Sequence, residues 1–259
     1  MIANQCNEAA RRKERETEMK SIVDRIDFGT HKPRFNLMSE GRWLIKEGRV
    51  TQLLTRGDDG KLTFGKKFIK KPLYIFLFND LFIVSKITDD NFTVMHYCPR
   101  NMIEVNVDMA PNVPVKDTNN SHQIFLTILE NQYEKLVEIL FSSDSSTDKE
   151  RWLNVLAPAK SENPDETLYE RWDCPQVTVI YDYSSRQPDE LNITKGDIIH
   201  VVRKMSDGWY FGDRLRDGEC GWFPANHVKE IVNPHVRARN LRQRYRLLAF
   251  TQNYVNSKQ

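Results

Sequence analysis

The stretch that decides the fold of the second half of the chain is Val177–Val228, VTVIYDYSSRQPDELNITKGDIIHVVRKMSDGWYFGDRLRDGECGWFPANHV. Its apolar runs are short, and turn residues interrupt them about every eight to twelve positions, which predicts a small all-β barrel or sandwich. The stretch is also dense in aromatic residues, which are Tyr181, Tyr183, Trp209, Tyr210, Phe211, Trp222 and Phe223. A barrel of this size cannot bury so many large rings, so we expect several of them to line a groove at the surface.

Three motifs of this stretch occur in the order and at the separations found in SH3 domains. Ile180–Tyr183 resembles the ALYDY motif, Gly208–Tyr210 resembles the motif that holds the ligand-binding tryptophan, and Gly221–Asn226 resembles the Gly-x-x-Pro-x-Asn stretch. The resemblance implies a groove for a proline-rich left-handed helix. Such a helix is ordered before it binds, so flat rings pack against its prolines at a small entropic cost. The resemblance assigns the floor and walls of the groove to Tyr181, Tyr183, Trp209, Pro224 and Asn226.

Three further residues belong to this predicted groove. Asp189 and Glu190 follow the tyrosines and are expected to meet an arginine that flanks the prolines of the ligand. His227 stands where many SH3 domains have a third groove tyrosine, which implies that one proline pocket is shallow or polar. The alternative is that the rings only form a core, and Tyr181 in particular could pack inward.

Residues 42–157 form a second β-rich unit. Tyr74–Phe78 and Leu81–Val84 are two β-prone runs around the Asn79-Asp80 turn, which predicts a hairpin, and further strands are predicted over 43–54, 92–97, 103–107 and 123–129. Helical spacing follows Ser145-Ser146-Thr147, which are good N-cap residues. Several strands followed by one helix with a tryptophan resemble a pleckstrin-homology (PH) domain, which implies that the helix closes one end of the strand barrel and that Trp152 is buried.

The first residues predict a helix over 4–27, because the segment has no proline or glycine. Met19, Ile22, Val23 and Ile26 recur at helical spacing, and Phe28-Gly29 ends the pattern. The rest of the segment is densely charged, so the apolar stripe is narrow. A helix of this kind is not stable alone, and we interpret it as the last piece of a larger helical assembly.

Two polar segments flank the SH3-like stretch. Residues 159–173 predict an acidic linker, in which Tyr169 is either a solvated tyrosine or a candidate phosphorylation site. Residues 233–259 predict a basic amphipathic helix with Ala238, Leu241, Tyr245 and Leu248 on one face. This helix could bind an anionic membrane, fold onto an acidic surface of the protein, or stay frayed.

The composition and motifs argue against catalysis. No nucleotide-binding, nucleophile-elbow or zinc-protease motif occurs, and the four cysteines are scattered without a metal-ligand spacing. We therefore predict no cofactor and no metal, reduced thiols, and a cytoplasmic location with recruitment to the periphery of the plasma membrane. The net charge of +2 excludes no function by itself, and we expect no nucleic-acid partner.

The PH-like unit suggests contact with lipid, which requires basic residues that converge on phosphates. The candidates are Lys46, Arg49, Lys66, Lys67, Lys70 and Lys71. A solvated basic hairpin loop explains them equally well, and apolar residues at 73–78 replace the basic pair of lipid-specific PH domains. We expect weak attraction to anionic membranes at most.

The order of these elements resembles the ephexin subgroup of Rho guanine nucleotide exchange factors, in which a helical Dbl-homology (DH) domain runs into a PH domain. The segments are the end of the last DH helix (1–35), the PH domain (36–158), the linker (159–173), the SH3 domain (174–232) and the tail (233–259).

The resemblance implies the regulatory and targeting part of an exchange factor. A Rho GTPase would then be a partner of the full-length protein, and this chain, whether a fragment or a short isoform, would have little exchange activity alone. The SH3 groove would bind a proline-rich partner or an internal segment, and the Asp189-Glu190 loop could hold the arginine tail. The alternative is a stand-alone PH–SH3 adaptor that links proline-rich partners to membrane signalling.

Overall fold

The protein is mainly β and has two compact units, Met1–Ala157 and Pro158–Gln259. The computed structural model describes residues 2–29, 33, 35–39, 41–54, 69–89, 91–106 and 122–257, and of 2–10 and 252–257 it describes the backbone alone. No helix in these ranges is both long enough and apolar enough to cross a membrane. The predicted mainly-β, multidomain fold class is confirmed.

The first unit is an eight-stranded sheet with two helices. Its elements are α1 (Ile2–Val23), β1 (Ile26–Asp27), β2 (Leu44–Leu54), β3 (Ile69–Phe78), β4 (Leu81–Thr88), β5 (Asn91–Pro99), β6 (Ile103–Asn106), β7 (Gln123–Ile128), β8 (Val137–Ser142) and α2 (Ser146–Leu156). The strand order is β1-β5-β4-β3-β2-β8-β7-β6. The predicted hairpin is confirmed as β3 and β4, whereas β8 was not predicted.

Helix α1 is shorter than the sequence predicted. It ends at Val23, and Ile26 leaves the helix to pair in parallel with Phe92 of β5. The backbone N–H of Phe92 donates to the carbonyl of Arg25 over 2.8 Å, which fixes this turn away from the helix. The helical spacing of Met19 and Ile22 is confirmed, because both side chains are buried in the core of the first unit.

Strand β3 reads as a continuous apolar run because both of its faces are buried. Phe76 and Phe78 point to the core cluster that contains Met19 and Ile22 of α1. Successive side chains of a strand point to opposite faces, so Ile75 lies on the other face, where it is also buried.

Helix α2 begins after Ser145, the first of the three residues predicted as caps. The Ser145 side chain accepts a hydrogen bond from the backbone N–H of Asp148 over 3.1 Å. Trp152 is buried as predicted, with 1% of its surface exposed. Its ring lies so close to β2 that a Cβ on Gly48 would approach it to 3.2 Å, so a glycine at this position lets the ring pack closely on the strand.

The second unit is a six-stranded sheet followed by a long helix. Its elements are β9 (Glu166–Leu168), β10 (Gln176–Val179), β11 (Ile198–Met205), β12 (Trp209–Arg214), β13 (Cys220–Pro224), β14 (Val228–Ile231) and α3 (Pro234–Ser257). The strand order is β13-β12-β11-β10-β14, and β9 pairs with β11 in addition. A small core is formed by Val177, Val179, Leu191, Ile193, Ile199, Val201 and Phe223.

The predicted acidic linker is part of this sheet. Strand β9 pairs antiparallel with β11, with Leu168 opposite Arg203. Strand β10 pairs with β11 only as far as His200, and a bulge follows between Val201 and Arg203. The linker therefore covers an edge of β11 that β10 leaves unpaired, which is why an acidic segment with little apolar content becomes a strand.

Helix α3 folds onto an acidic surface of its own unit, one of the three outcomes left open by the sequence. The guanidinium of Arg239 donates two hydrogen bonds to Glu230, both over 2.9 Å, and Arg242 donates to Asp173 over 2.7 Å. Ala238 and Tyr245 of the predicted apolar face are buried. The predicted holding of these arginines by the Asp189-Glu190 loop is not seen, because Asp173 and Glu230 hold two of them instead.

The apolar face of α3 ends earlier than predicted. Leu248 is 59% exposed, although it shares the helical face of Ala238 and Tyr245 in the sequence. Leu247 and Phe250 are exposed as well. The docked part of the helix therefore ends near Tyr245.

Candidate peptide-binding groove

Four rings of the second unit form one continuous row, which we call the aromatic row. Tyr181 meets His227 edge to face at 6.2 Å between ring centroids, His227 meets Tyr183 at 5.5 Å, and Tyr183 meets Trp209 at 6.1 Å. Residues 181–183 follow β10, Trp209 begins β12, and His227 lies in the turn before β14, so three separate segments build the row. The sheet thus brings together rings that are up to 46 residues apart in sequence.

The row is open to solvent rather than sealed in the core. Tyr181 is 63% exposed, which excludes the alternative that it packs inward. Tyr183, Trp209 and His227 are half-buried. Tyr183 also packs against the core of the unit, which supports the row from beneath.

Pro224 and Asn226 complete the predicted groove. Pro224 of β13 is the strand partner of Trp209, so the two side chains are neighbours on the sheet. The turn Ala225–His227 then carries Asn226 to an exposed position next to His227 of the row.

The loop after Tyr183 is organised by Glu190. The Oε2 atom of this carboxylate accepts the hydroxyl hydrogen of Tyr183 over 2.7 Å, and it also accepts the backbone N–H of Arg186 over 2.6 Å and that of Gln187 over 3.3 Å. These bonds, that from Arg186 first, lower the pKa of Glu190, and the bond to Glu190 raises the pKa of Tyr183.

The contact of Asp189 and Glu190 with a ligand arginine stays a prediction. The two carboxylates differ in whether they are free to make it. Asp189 is exposed, and its backbone carbonyl accepts the N–H of Trp222 over 2.9 Å, so the strand bridge fixes its place while the carboxylate faces solvent. Glu190 is already used to hold the loop. Of the two, Asp189 is the better placed for a cationic ligand.

His227 is held by the backbone on which Tyr181 lies. Its Nδ1 atom is 3.2 Å from the carbonyl oxygen of Tyr181 and 3.1 Å from that of Asp182. In return, the backbone N–H groups of Ile180 and Tyr181 donate to the carbonyl of His227. The orientation of the His227 ring is therefore fixed by the backbone at 181–182, and not by its neighbours in the sequence.

The segment that carries this groove matches the SH3 domain family over residues 178–225. These residues form an SH3 domain. The prediction from the three motifs is confirmed, and the matched span contains Tyr181, Tyr183, Trp209 and Pro224, whereas Asn226 and His227 follow it directly.

The whole chain is similar to Rho guanine nucleotide exchange factors. Ephexin-1 from Rattus norvegicus is 32% identical over 248 residues, which are 95% of this chain and 34% of ephexin-1. The human Rho guanine nucleotide exchange factor 26 is 32% identical over 261 residues, 96% of this chain and 29% of that protein. The predicted similarity to ephexin-type exchange factors is confirmed, and the chain spans about a third of the length of the curated relatives it matches.

A solved structure is similar to the SH3 domain alone. The C-terminal SH3 domain of myosin IB from Entamoeba histolytica, crystallised bound to EhFP10(GEF) peptide, is 39% identical. The match covers 23% of this chain and 95% of that one, with a TM-score of 0.21.

Four of the basic residues predicted for lipid contact lie in the described part of the structure, and they do not converge on one site. Lys46 reaches Asp148 of α2 over 3.3 Å and lies 4.6 Å from the ring of Trp152, so it pairs within the unit. Arg49 is opposite Tyr74 and Lys71 is opposite Gln52, so by strand alternation Arg49 and Lys70 lie on one face of the sheet and Lys46 and Lys71 on the other. Lys66 and Lys67 lie outside the described residues.

Tyr169 is not the exposed linker tyrosine that the sequence suggested. Its ring meets that of His235 of α3 edge to face at 5.3 Å, and the Lys204 ammonium lies 5.5 Å from it. Its backbone N–H donates to the carbonyl of Val202, and burial raises the pKa of its hydroxyl. The candidate phosphorylation site therefore contacts both the sheet and α3 of the SH3 unit.

Sequence reasoning missed the residues that attach α3. Asp173 accepts a hydrogen bond from Arg242 and pairs with His235 at 2.7 Å, and Glu230 lies between Arg239 and Lys204. The available signal was the run of arginines without any acid after Glu230, which is compatible with acidic partners elsewhere in the chain but does not name them. Among the described residues, no group of His, Cys, Asp or Glu side chains is arranged to hold a metal ion.

Proposed function

We propose that this chain is the regulatory and targeting part of a Rho-type guanine nucleotide exchange factor, and that its SH3 groove binds a proline-rich peptide. The observation that carries the peptide site is the aromatic row, which is built by three segments, exposed at Tyr181 and half-buried at Trp209. Flat rings held edge to face form the shallow pockets into which the prolines of a left-handed helix fit. The similarity to ephexin-1 over nearly the whole chain supports the role in an exchange factor.

The peptide is either a segment of another protein or a segment of the same polypeptide. In both cases the affinity depends on the exposed rings, since the polyproline helix offers little besides ring packing and carbonyl oxygens. Asp189 adds attraction for a basic residue beside the prolines.

The peptide site is tested by titrating the chain with a set of synthetic proline-rich peptides that carry a flanking arginine, with tryptophan fluorescence or calorimetry as the readout. We expect at least one peptide to bind at micromolar concentration and to lose that binding in Trp209→Ala. If no proline-containing peptide binds the folded chain, the proposed peptide site is wrong.

The role in exchange is tested separately with a Rho GTPase loaded with fluorescent GDP. We expect this chain alone to release little nucleotide, because the resemblance assigns the remodelling of the switch loops to helices of the DH domain. Rapid release by this chain would contradict that expectation, whatever the outcome of the peptide titration.

A further inference from the structure

Besides its carbon surface, the aromatic row carries two polar atoms that could hydrogen-bond to a ligand, the hydroxyl oxygen of Tyr183 and Nε2 of His227. The hydroxyl of Tyr183 donates its single hydrogen to Glu190 over 2.7 Å, and an ionised carboxylate can only accept. Glu190 also accepts the backbone N–H of Arg186, which keeps it turned toward the tyrosine. The Tyr183 oxygen therefore presents lone pairs, and no hydrogen, to anything that enters the groove.

The same conclusion holds for His227, by a separate set of contacts. Its Nδ1 atom lies within 3.2 Å of two backbone carbonyl oxygens, those of Tyr181 and Asp182, and carbonyl oxygens only accept. The hydrogen of the neutral imidazole must then be on Nδ1, which leaves Nε2 as a bare acceptor. Within the described part of the chain Nε2 makes no hydrogen bond, and it lies across the ring from the backbone that Nδ1 contacts.

We propose that Tyr183 and His227 form an acceptor pocket that selects a hydrogen-bond donor, so that the SH3 groove prefers a proline-containing peptide whose residue at this pocket is not proline. This inference rests on the proposed peptide site. Proline has no N–H and its ring carries only C–H groups, so a proline here removes water from two acceptors without replacing its hydrogen bonds. An acceptor that loses water without a new partner weakens the complex.

The charges around the pocket favour a basic residue as the donor. Asp182, Asp189 and Asp207 are exposed on the loops that carry or flank the aromatic row. Lysine and arginine side chains are donors that accept nothing, so they match both the bare lone pairs and the surrounding carboxylates. Glutamate or aspartate at the same ligand position should be excluded.

The inference is tested by selection from a peptide library on the full chain. The library holds two fixed prolines with all other positions random, and it is selected on the native chain and on His227→Tyr, whose hydroxyl supplies a donor. We expect the native chain to enrich a basic, non-proline residue at one position, and His227→Tyr to accept proline there. Tyr183→Phe removes the other acceptor and keeps the ring, so it should also relax the preference.

The donor is then identified with matched synthetic peptides. One peptide of each pair carries the selected lysine or arginine and the other carries norleucine, and a second pair compares the backbone N–H at that position with its N-methyl form. The peptide that lacks the donor, whether the norleucine or the N-methyl form, should bind the native chain about three- to tenfold more weakly, because one hydrogen bond is lost. The same peptide should lose less affinity for His227→Tyr.

The outcomes separate the two proposals. If the native chain and both variants enrich the same peptides and lose the same affinity in every pair, the acceptor pocket is refuted and the peptide site stands. If none of the folded proteins enriches a proline-containing peptide, the peptide site itself is wrong and the acceptor pocket falls with it. Circular dichroism confirms that each variant is folded, and Tyr183→Phe provides the test if His227→Tyr is not.

Discussion

The two units of the chain use their aromatic residues in opposite ways. In the first unit Phe76, Phe78 and Trp152 are buried, with 1% of their surface or less exposed. In the second unit Tyr181 is 63% exposed, and Tyr183 and Trp209 are half-buried. The first unit has enough sheet and helix to enclose its rings, whereas the small barrel of the second cannot enclose them and presents them as a binding surface. The same residue types therefore supply stability in one unit and recognition in the other.

The largest effect that this contrast predicts is the loss of a buried ring. Phe76→Ala should destabilise the first unit by about 3–5 kcal/mol, because it removes a fully buried side chain and leaves a cavity beneath α1. Chemical denaturation of the full chain measures the loss. Leu136→Ala, at a position that is 48% exposed in the same unit, is the matched control and should change stability by less than about 0.5 kcal/mol. Peptide binding by the SH3 domain should be unchanged in both variants.

The next effect concerns the acidic residue that attaches α3 to the SH3 unit. Asp173→Ala should cost about 2–3 kcal/mol in the docking of the helix, because it removes the partner of both His235 and Arg242. Hydrogen exchange of α3 amides or cleavage by trypsin at Arg242 reports the release. Glu162→Ala, an exposed acid in the same unit, should leave both unchanged. Full protection of α3 in Asp173→Ala would show that the apolar contacts of Ala238 and Tyr245 suffice.

The next prediction concerns Trp209, whose removal should affect peptide binding more than stability. Trp209→Ala should weaken the binding of a proline-rich peptide by about 2 kcal/mol, or about 30-fold, because a partly exposed indole is a typical anchor residue. The unfolding free energy of the SH3 unit should change by less than about 1 kcal/mol, since Trp209 is not part of its buried core. Leu215→Ala, 48% exposed outside the groove, is the control for binding. A large loss of stability would show that the indole belongs to the core after all.

The smallest expected effect is a difference in acid sensitivity between the units. In the second unit the pKa values of Glu190, Asp217 and Glu230 are lowered, chiefly by hydrogen bonds from Arg186, Arg214 and Arg239 respectively. A carboxylate with a lowered pKa in the folded state stabilises the fold above its unfolded pKa, and that stability is lost as the pH falls through the folded value. In the first unit the pKa of Glu16 is lowered by the hydrogen bond from Lys20.

We therefore expect the SH3 unit to lose more stability than the first unit between pH 5 and pH 2. Amide protection measured by NMR, corrected for the intrinsic effect of pH on exchange, resolves both units in the same chain. Glu190→Gln, which cannot titrate, should reduce the acid sensitivity of the loop at 186–190. Equal losses in the two units would contradict the assignment.

The sequence determined most of the architecture because strong local patterns cover it. The β3–β4 hairpin and a helix cap within 145–147 follow from spacing and turn chemistry in short segments, whereas the burial of Trp152 and the SH3 domain were implied by resemblance to known families. Composition predicted only that a small barrel with so many rings must expose some of them, and the resemblance to SH3 domains assigned the individual groove residues.

Tertiary structure decided the features that depend on distant partners. The acidic linker became β9 because β10 leaves an edge of β11 unpaired, and α3 docked because Asp173 and Glu230 face its arginines. The bare Nε2 of His227 likewise follows from two backbone carbonyls about 45 residues away in the chain. Periodicity reports which face of an element is apolar, but a hydrogen bond or ion pair between remote segments leaves no periodic signal, so only the folded chain shows it.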